Sequence, residues 1–460
     1  MPSKIIAIVA GPIASLIAGL VMANSGMPPA ITLTLAITLL TAIWWVTEAL
    51  PIPVTSIVPF VLFPATGVLT YQEASSGLGQ HVILLLMGGF MMAKGVEKAN
   101  LHHRISLSII HKLGGRSGRH LLFGFMLSGA LLSMWISNTA TCLVLMPIAL
   151  AVIHDLDEPA LFLPMVLAVA FSCNLGGMAT LIGTPPNLIF ASIYQINTGN
   201  EFSFGQWITI GLPVVILGLP VMALWLSRKM PRLRHVELPD VGNWTTQEKR
   251  VVCVFAVIVA LWIFRLEPFG GWSGLLPFSK IGDSTIALFG VVLMFLVPSG
   301  TQKGERLLDW DTASDIPWGM LLLFAGGLTI AKAFQVSGTA EWIGNSLSLL
   351  TSLPPYLLIL CICLSVTFMT EITSNTATTT LLMPILAAAG ASADLPIEML
   401  MIPAAISASC AFMLPVATAP NAIAYGTGHV TIKQMAKEGF VLNLLMAAII
   451  SILCYLRFGT

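Results

Sequence analysis

Met134-Trp135-Ile136-Ser137-Asn138-Thr139-Ala140-Thr141 sets hydroxyl and amide side chains in the middle of an apolar stretch, 121–153. Left without partners in an apolar surrounding, each such group costs several kcal/mol. They must therefore face the protein interior or a cavity. Working outward, Ser137-Asn138-Thr139-Ala140-Thr141 returns as Ser374-Asn375-Thr376-Ala377-Thr378, 237 positions on (374 minus 137). Leu145-Met146-Pro147 returns as Leu382-Met383-Pro384, again 237 on (382 minus 145). Gly183-Thr184-Pro185-Pro186-Asn187 is answered by Ala417-Thr418-Ala419-Pro420-Asn421, 234 on (417 minus 183). Upstream, Leu84-Leu85-Leu86-Met87-Gly88-Gly89 matches Leu322-Leu323-Phe324-Ala325-Gly326-Gly327. Matches in one order at a nearly constant offset indicate an internal duplication.

The surroundings of these motifs set the solvent. The chain has 460 residues, 56% hydrophobic and 9% charged, where soluble domains carry roughly 25% charge. So few charges cannot cover a water-facing surface, whereas lipid makes long apolar helices the natural solution. Apolar spans are expected near 5–23, 29–48, 52–70, 82–97, 207–227, 251–265, 284–298, 318–336 and 438–456. Four further stretches, 121–153, 161–194, 355–390 and 398–428, are apolar but interrupted by polar residues, Gly and Pro. The first run reads as a transmembrane helix rather than a signal peptide. Net charge is zero, which argues against nucleic acid as a partner. The seven cysteines lie in apolar runs without metal-ligand spacing and read as small buried hydrophobes.

Basic residues cluster in 98–120 (Lys98, Arg104, Lys112, Arg116, Arg119) and in 228–250 (Arg228, Lys229, Arg232, Arg234, Lys249, Arg250). The positive-inside rule puts both on the cytoplasmic side. That holds only if 121–153 and 355–390 each enter and leave on one side, as re-entrant hairpins. The expected protein is all-α and polytopic, with eleven transmembrane helices and two re-entrant hairpins in two inverted repeats. It has a cytoplasmic N-terminus and an outer C-terminus. The expected organisation is an N-terminal helix in 1–28 and a first repeat in 29–230, with its hairpin 121–153 and broken helix 161–194. A cytoplasmic linker in 231–250 leads to a second repeat in 251–460, with hairpin 355–390 and broken helix 398–428. Paired interrupted helices in inverted repeats point to a transporter and to its site.

The chemistry follows from the interruptions. A hairpin tip frees backbone N–H and C=O groups, and helix N-termini favour anions. Freed carbonyls with Ser and Asn oxygens suit a hard cation such as Na⁺. Consecutive prolines stop a helix, so 183–187 should expose more backbone, and 417–421, with Pro420, should do so in the other repeat. Lys94 and Lys332 read as snorkelling residues. Glu48 and Glu371 lie beside membrane segments and read as near water-facing ends, with a proton relay as the alternative, and His102, His103, His111 and His120 read as solvated. The tryptophans read mostly as interface anchors. No nucleophile with an acid–base partner is present, so an enzyme is not expected.

Paired Ser-Asn-Thr motifs, each followed by a Pro-Asn helix break, resemble the divalent anion/sodium symporter (INDY-type) family of di- and tricarboxylate carriers. The resemblance covers nearly the whole chain. It implies a homodimer in the cell's inner (plasma) membrane, whose transport domain moves like an elevator against a scaffold. It implies substrate contacts from Asn138, Thr139, Ser374, Asn375 and Thr376, supported by Thr184 and Thr418. It implies one Na⁺ site at Ser133, Ser137, Asn138 and the Gly183 carbonyl. The other would use Thr370, Thr373, Asn375 and the Ala417 carbonyl. Ala419-Pro420 departs from the Pro-Pro common among relatives. The expected activity is Na⁺-coupled import of C4-dicarboxylates such as succinate, malate or fumarate. The alternatives are a Na⁺-independent dicarboxylate exchanger and a carrier of citrate or sulfate.

Overall fold

The structure is a computed structural model that describes residues 2–114, 117–156, 158–231, 242–266, 269–276, 280–346 and 353–459. Arg116, Arg232, Arg234 and half of the expected linker, 232–241, lie outside the described residues. Among the described residues the chain is helical, with one isolated bridge, Pro298 to Arg306, and no strand. Among the described residues seven helices are long and apolar enough to cross a membrane: Ile5–Asn24, Pro29–Thr47, Asn138–Asp155, Pro159–Ala179, Phe204–Ser227, Trp318–Val336 and Ile432–Phe458. Ile52–Ala65, Asp283–Leu296, Pro355–Thr370 and Ile397–Ser407 are apolar but shorter. The protein is therefore a multi-pass membrane protein. Helices His81–Lys98 and Thr246–Ile263 match the expected spans near 82–97 and 251–265.

Capping fixes several starts. Ser203 and Gln206 close a capping box before Phe204–Ser227, as Thr431 and Gln434 do before Ile432–Phe458. The second box starts the last helix six residues ahead of the expected 438, because the amphipathic first turns dilute its apolar signal. Helices approach closely where side chains are small. Gly88 packs on Ala287, and Gly129 on Ser172 and Cys173.

The structure corrects several expectations. Stretch 52–70 is not one continuous helix but two short ones, Ile52–Thr55 and Val58–Ala65. Pro51, Pro53, Pro59 and Pro64 remove donors along it, so a continuous ladder cannot form. The expected basic loop 98–120 contains the helix Leu101–Gly114, which buries Leu101, Ser106, Ile110 and Gly114 along one face. His102 on this helix is half-buried rather than solvated, and burial pushes its imidazole pKa down. Trp45, Trp207 and Trp262 are core residues rather than interface anchors. Their indoles donate to Ser56 Oγ, the Met178 carbonyl and the Asp283 carbonyl. Cys253 and Cys361 are exposed, unlike Cys142, Cys173, Cys363, Cys410 and Cys454.

Lys94 does not snorkel freely. It meets Asp315 at 2.9 Å and Glu97 at 3.2 Å, and its neighbour Lys98 meets Asp309 at 2.6 Å. The Lys98 ammonium and the Thr312 N–H hold the Asp309 carboxyl at about 2. A depressed carboxyl pKa keeps this clip charged at neutral pH, and the clip is lost only as pH falls through that value. It ties the end of helix His81–Lys98 to the segment leading into Trp318–Val336, and both helices border the cavity described next.

Candidate functional site

Each Ser-Asn-Thr motif stands at the start of the second helix of a helix–turn–helix, and only Ser137, not Ser374, caps it through its side chain. The first pair is Gly118–Ser133 and Asn138–Asp155, and the second is Pro355–Thr370 and Asn375–Ser392. Ser137 Oγ accepts from Ala140 N at 3.2 Å. Behind this tip, Ser133 Oγ lies 2.5 Å from Asn138 Oδ1 and 2.7 Å from the Cys173 carbonyl. One hydroxyl proton serves two acceptors there, so the tip holds more oxygen lone pairs than protons. At the second tip, Thr373 Oγ1 lies 2.7 Å from the Met369 carbonyl and 2.6 Å from Thr378 Oγ1. The Thr370 hydroxyl donates to the Thr367 carbonyl at 3.0 Å. Asn375 Oδ1 is buried and has no partner among the described residues.

The two broken helices are built alike. Phe162–Gly176 passes through one 3₁₀ turn, Gly177–Ala179, and resumes as Pro185–Thr198. Ile397–Ser407 breaks and resumes as Ala419–Gly426. Asn187 Nδ2 closes the first break by donating to the carbonyls of Gly177 (3.1 Å) and Thr180 (2.7 Å). Asn421 Nδ2 closes the second by donating to those of Ala411 (2.9 Å) and Leu414 (3.1 Å). The partners lie ten and seven residues back in both cases. A glycine of the following helix then approaches each break, Gly211 at the Met178 carbonyl and Gly439 at the Phe412 carbonyl.

Tips and breaks converge on one cavity of about 250 Å³. Ser137, Asn138, Thr139, Ser374, Asn375 and Thr376 line it from the tips; Gly183, Thr184, Ala417 and Thr418 line it from the breaks. The starts of four helices therefore face one space. Leu86, Gly89, Phe90, Trp135, Ile182 and Met320 form much of the apolar remainder. Among the described residues, no Lys, Arg, His, Asp or Glu lines the cavity. Ser133, Thr370 and Thr373 do not reach its wall and stand behind the tips instead.

An ideal Cβ built on Gly177 would stand 2.9 Å from both Asn138 Oδ1 and the Gly183 carbonyl oxygen. Two of the oxygens expected at one ion site thus crowd the same point, beside a residue without a side chain. This arrangement can hold a small cation next to an anion.

Further residues shape the site without a clear mark of that role in the sequence. Asn187 and Asn421 were visible only as parts of the Pro-Asn breaks, and Gly177 carried no signal beyond a Gly pair. Glu371, expected near water, is 3% exposed. Its carboxylate accepts from the N–H groups of Phe412 (2.8 Å), Met413 (2.9 Å) and Leu414 (3.0 Å), and from Asn443 Nδ2 (2.6 Å). It ties the second tip to the second break. Its position in the first repeat holds Met134, whose carbonyl accepts instead from Thr180 Oγ1 at 2.5 Å. Glu48, by contrast, is exposed and ends helix Pro29–Thr47 in a left-handed conformation.

Residues 42–400 match the family described as citrate transporter, CitMHS. A sodium-dependent dicarboxylate transporter of Staphylococcus saprophyticus, SdcS, is 39% identical over 98% of this chain and 91% of its own length. The SdcS protein of Staphylococcus aureus matches with the same identity and coverage. The chain belongs to the divalent anion/sodium symporter family. A member of this family is a transporter and not an enzyme. Two solved transporters share the fold at 14% identity. The YdaH transporter of Alcanivorax borkumensis has a TM-score of 0.59 over 84% of this chain and 87% of its own. MtrF of Neisseria gonorrhoeae has a TM-score of 0.60 over 86% and 84%.

Proposed function

We propose that this symporter-family chain couples Na⁺ to the import of C4-dicarboxylates such as succinate, malate or fumarate. The observation that carries the reading is a cavity lined by hydroxyls, amides and helix N-termini, with no charged side chain. A dianion held there needs positive charge from elsewhere. Each helix N-terminus offers roughly half an elementary charge. Bound Na⁺ adds whole positive charges beside these partial ones, so ion and anion favour each other. The sodium dependence and dicarboxylate substrates in the names of the staphylococcal relatives support this.

In this reading Asn138, Thr139, Ser374, Asn375 and Thr376 hold the carboxylates, with Thr184 and Thr418 at the breaks. One Na⁺ lies among Ser133, Ser137, Asn138 and the Gly183 carbonyl, where oxygens outnumber protons. Another lies among Thr370, Thr373, Asn375 and the Ala417 carbonyl, with Asn375 Oδ1 free to accept it. Two or more Na⁺ accompany each substrate. The proposal includes eleven transmembrane helices, two re-entrant hairpins and the inverted repeats 29–230 and 251–460. Helix 1–28 precedes the repeats and linker 231–250 joins them. It includes a homodimer in the plasma membrane, N-terminus inside and C-terminus outside, working by an elevator motion.

The test is uptake of labelled succinate into proteoliposomes with an inward Na⁺ gradient, then with K⁺ in its place. Uptake that requires Na⁺ is the expected result. Uptake indifferent to Na⁺ but raised by internal dicarboxylate would make the protein an exchanger. Uptake of citrate or sulfate in place of succinate would move the substrate class.

Thr139→Val and Thr376→Val keep the side-chain volume and remove one hydroxyl each. Each is expected to raise the succinate KM about tenfold, the loss of one hydrogen bond to a charged group. An unchanged KM in both variants would remove these hydroxyls from the site.

A further inference from the structure

Asn174 belongs to neither repeated motif, yet the two breaks meet at it. It lies near the end of helix Phe162–Gly176, is 1% exposed and lines the cavity. Its Nδ2 donates across the repeats to Thr418 Oγ1 at 3.0 Å and to Asn421 Oδ1 at 3.1 Å. The neighbours fix which way this amide points. Asn421 Nδ2 is committed to the carbonyls of Ala411 and Leu414, so Asn421 presents its oxygen to Asn174. Only an N–H can face that oxygen.

The polarity of Thr418 follows. Its hydroxyl oxygen accepts from Asn174 Nδ2 and also from Asn421 N, at 3.3 Å. Two donors fill both lone pairs, and the hydroxyl keeps one proton to give away. Among the described residues nothing accepts that proton, and Thr418 lines the cavity. We propose that Asn174 is a positioning residue that locks Thr418 as a hydrogen-bond donor to a substrate carboxylate. It thereby ties anion recognition at the second break to the helix whose Cys173 carbonyl backs the first tip. The inference rests on the reading that a dicarboxylate occupies this cavity.

The first break lacks this device. Thr184 makes no side-chain cap bond, and among the described residues its hydroxyl meets only Ser409 Oγ, which donates to it at 3.4 Å. Its hydroxyl keeps the freedom to donate or to accept.

The test is a double-mutant cycle on succinate binding, measured by calorimetry on the purified full-length protein in saturating Na⁺. Thr418→Val is expected to weaken binding about tenfold, the value of one hydrogen bond to a charged group. Asn174→Ala, which frees the Thr418 hydroxyl to turn, is expected to do the same. The double variant is expected to lose little beyond either single one, and Ser409→Ala to stay within about twofold of wild type. A cycle in which the two losses multiply would overturn the proposal, since a merely structural asparagine would act independently of the Thr418 hydroxyl. Succinate binding without Na⁺ would count against symport but leave the cycle to decide the role of Asn174. Wild-type protein that binds no dicarboxylate overturns both.

Discussion

Gly177→Ala is expected to abolish Na⁺-driven succinate uptake while the protein remains folded. The added methyl would stand 2.9 Å from Asn138 Oδ1 and from the Gly183 carbonyl oxygen, closer than real Cβ contacts allow. One of these oxygens is a backbone atom that cannot turn away as a flexible side-chain end would. The tip and the break must separate, and the oxygens proposed to coordinate one Na⁺ separate with them. Displacement of site groups by about 1 Å can cost a factor of about 100, and with two ion-ligating oxygens pushed apart at once the loss should approach that size. Gly426→Ala is the matched control, because nothing lies within 4 Å of its added methyl. Uptake by the Gly177 variant with the wild-type Na⁺ half-saturation would show that no ion sits between Asn138 and Gly183.

Glu371→Gln is expected to fail in a different way, by loosening the second break. The native carboxylate offers two oxygens to three backbone N–H groups and Asn443 Nδ2. A glutamine keeps one oxygen and turns an N–H₂ towards donors. A buried hydrogen bond to a charged group contributes about 1.5–3 kcal/mol. Losing two or more should remove about 3 kcal/mol or more, enough to lower the thermal unfolding midpoint measurably. Asn443→Ala, which leaves the three N–H contacts in place, should cost less and keep transport. If Glu371 were a proton relay instead, the Gln variant would keep its stability and change only the pH dependence of uptake. That outcome would remove the clamp from the account.

How much of this was legible in the sequence depended on what each residue repeats. Ser137-Asn138-Thr139 and Ser374-Asn375-Thr376 were found because duplication wrote them twice, in an apolar context where polar groups need a reason. The breaks were found because Pro185-Pro186 and Pro420 cannot continue a helix. Glu371 carried no such mark, since the first repeat has Met134 in its place. Asn174 was hidden because its partners lie in the other repeat, over 240 positions away, and no local pattern reports such contacts. Stretch 52–70 was misjudged because mean apolarity outweighed the proline spacing. Helix Leu101–Gly114 was misjudged because three histidines and two basic residues masked its buried face. Hydropathy thus reads what a segment is dissolved in, and says less about where its ladder is cut.

The uncharged wall of the cavity also bears on acidity. A surface without ionisable groups has no titration of its own. Its hydroxyls and amides present the same face to the cargo at pH 5 as at pH 8. A change in substrate binding at this wall across that range would therefore originate in the cargo, as one of its carboxylates gains a proton and loses charge that the helix N-termini and bound Na⁺ favour.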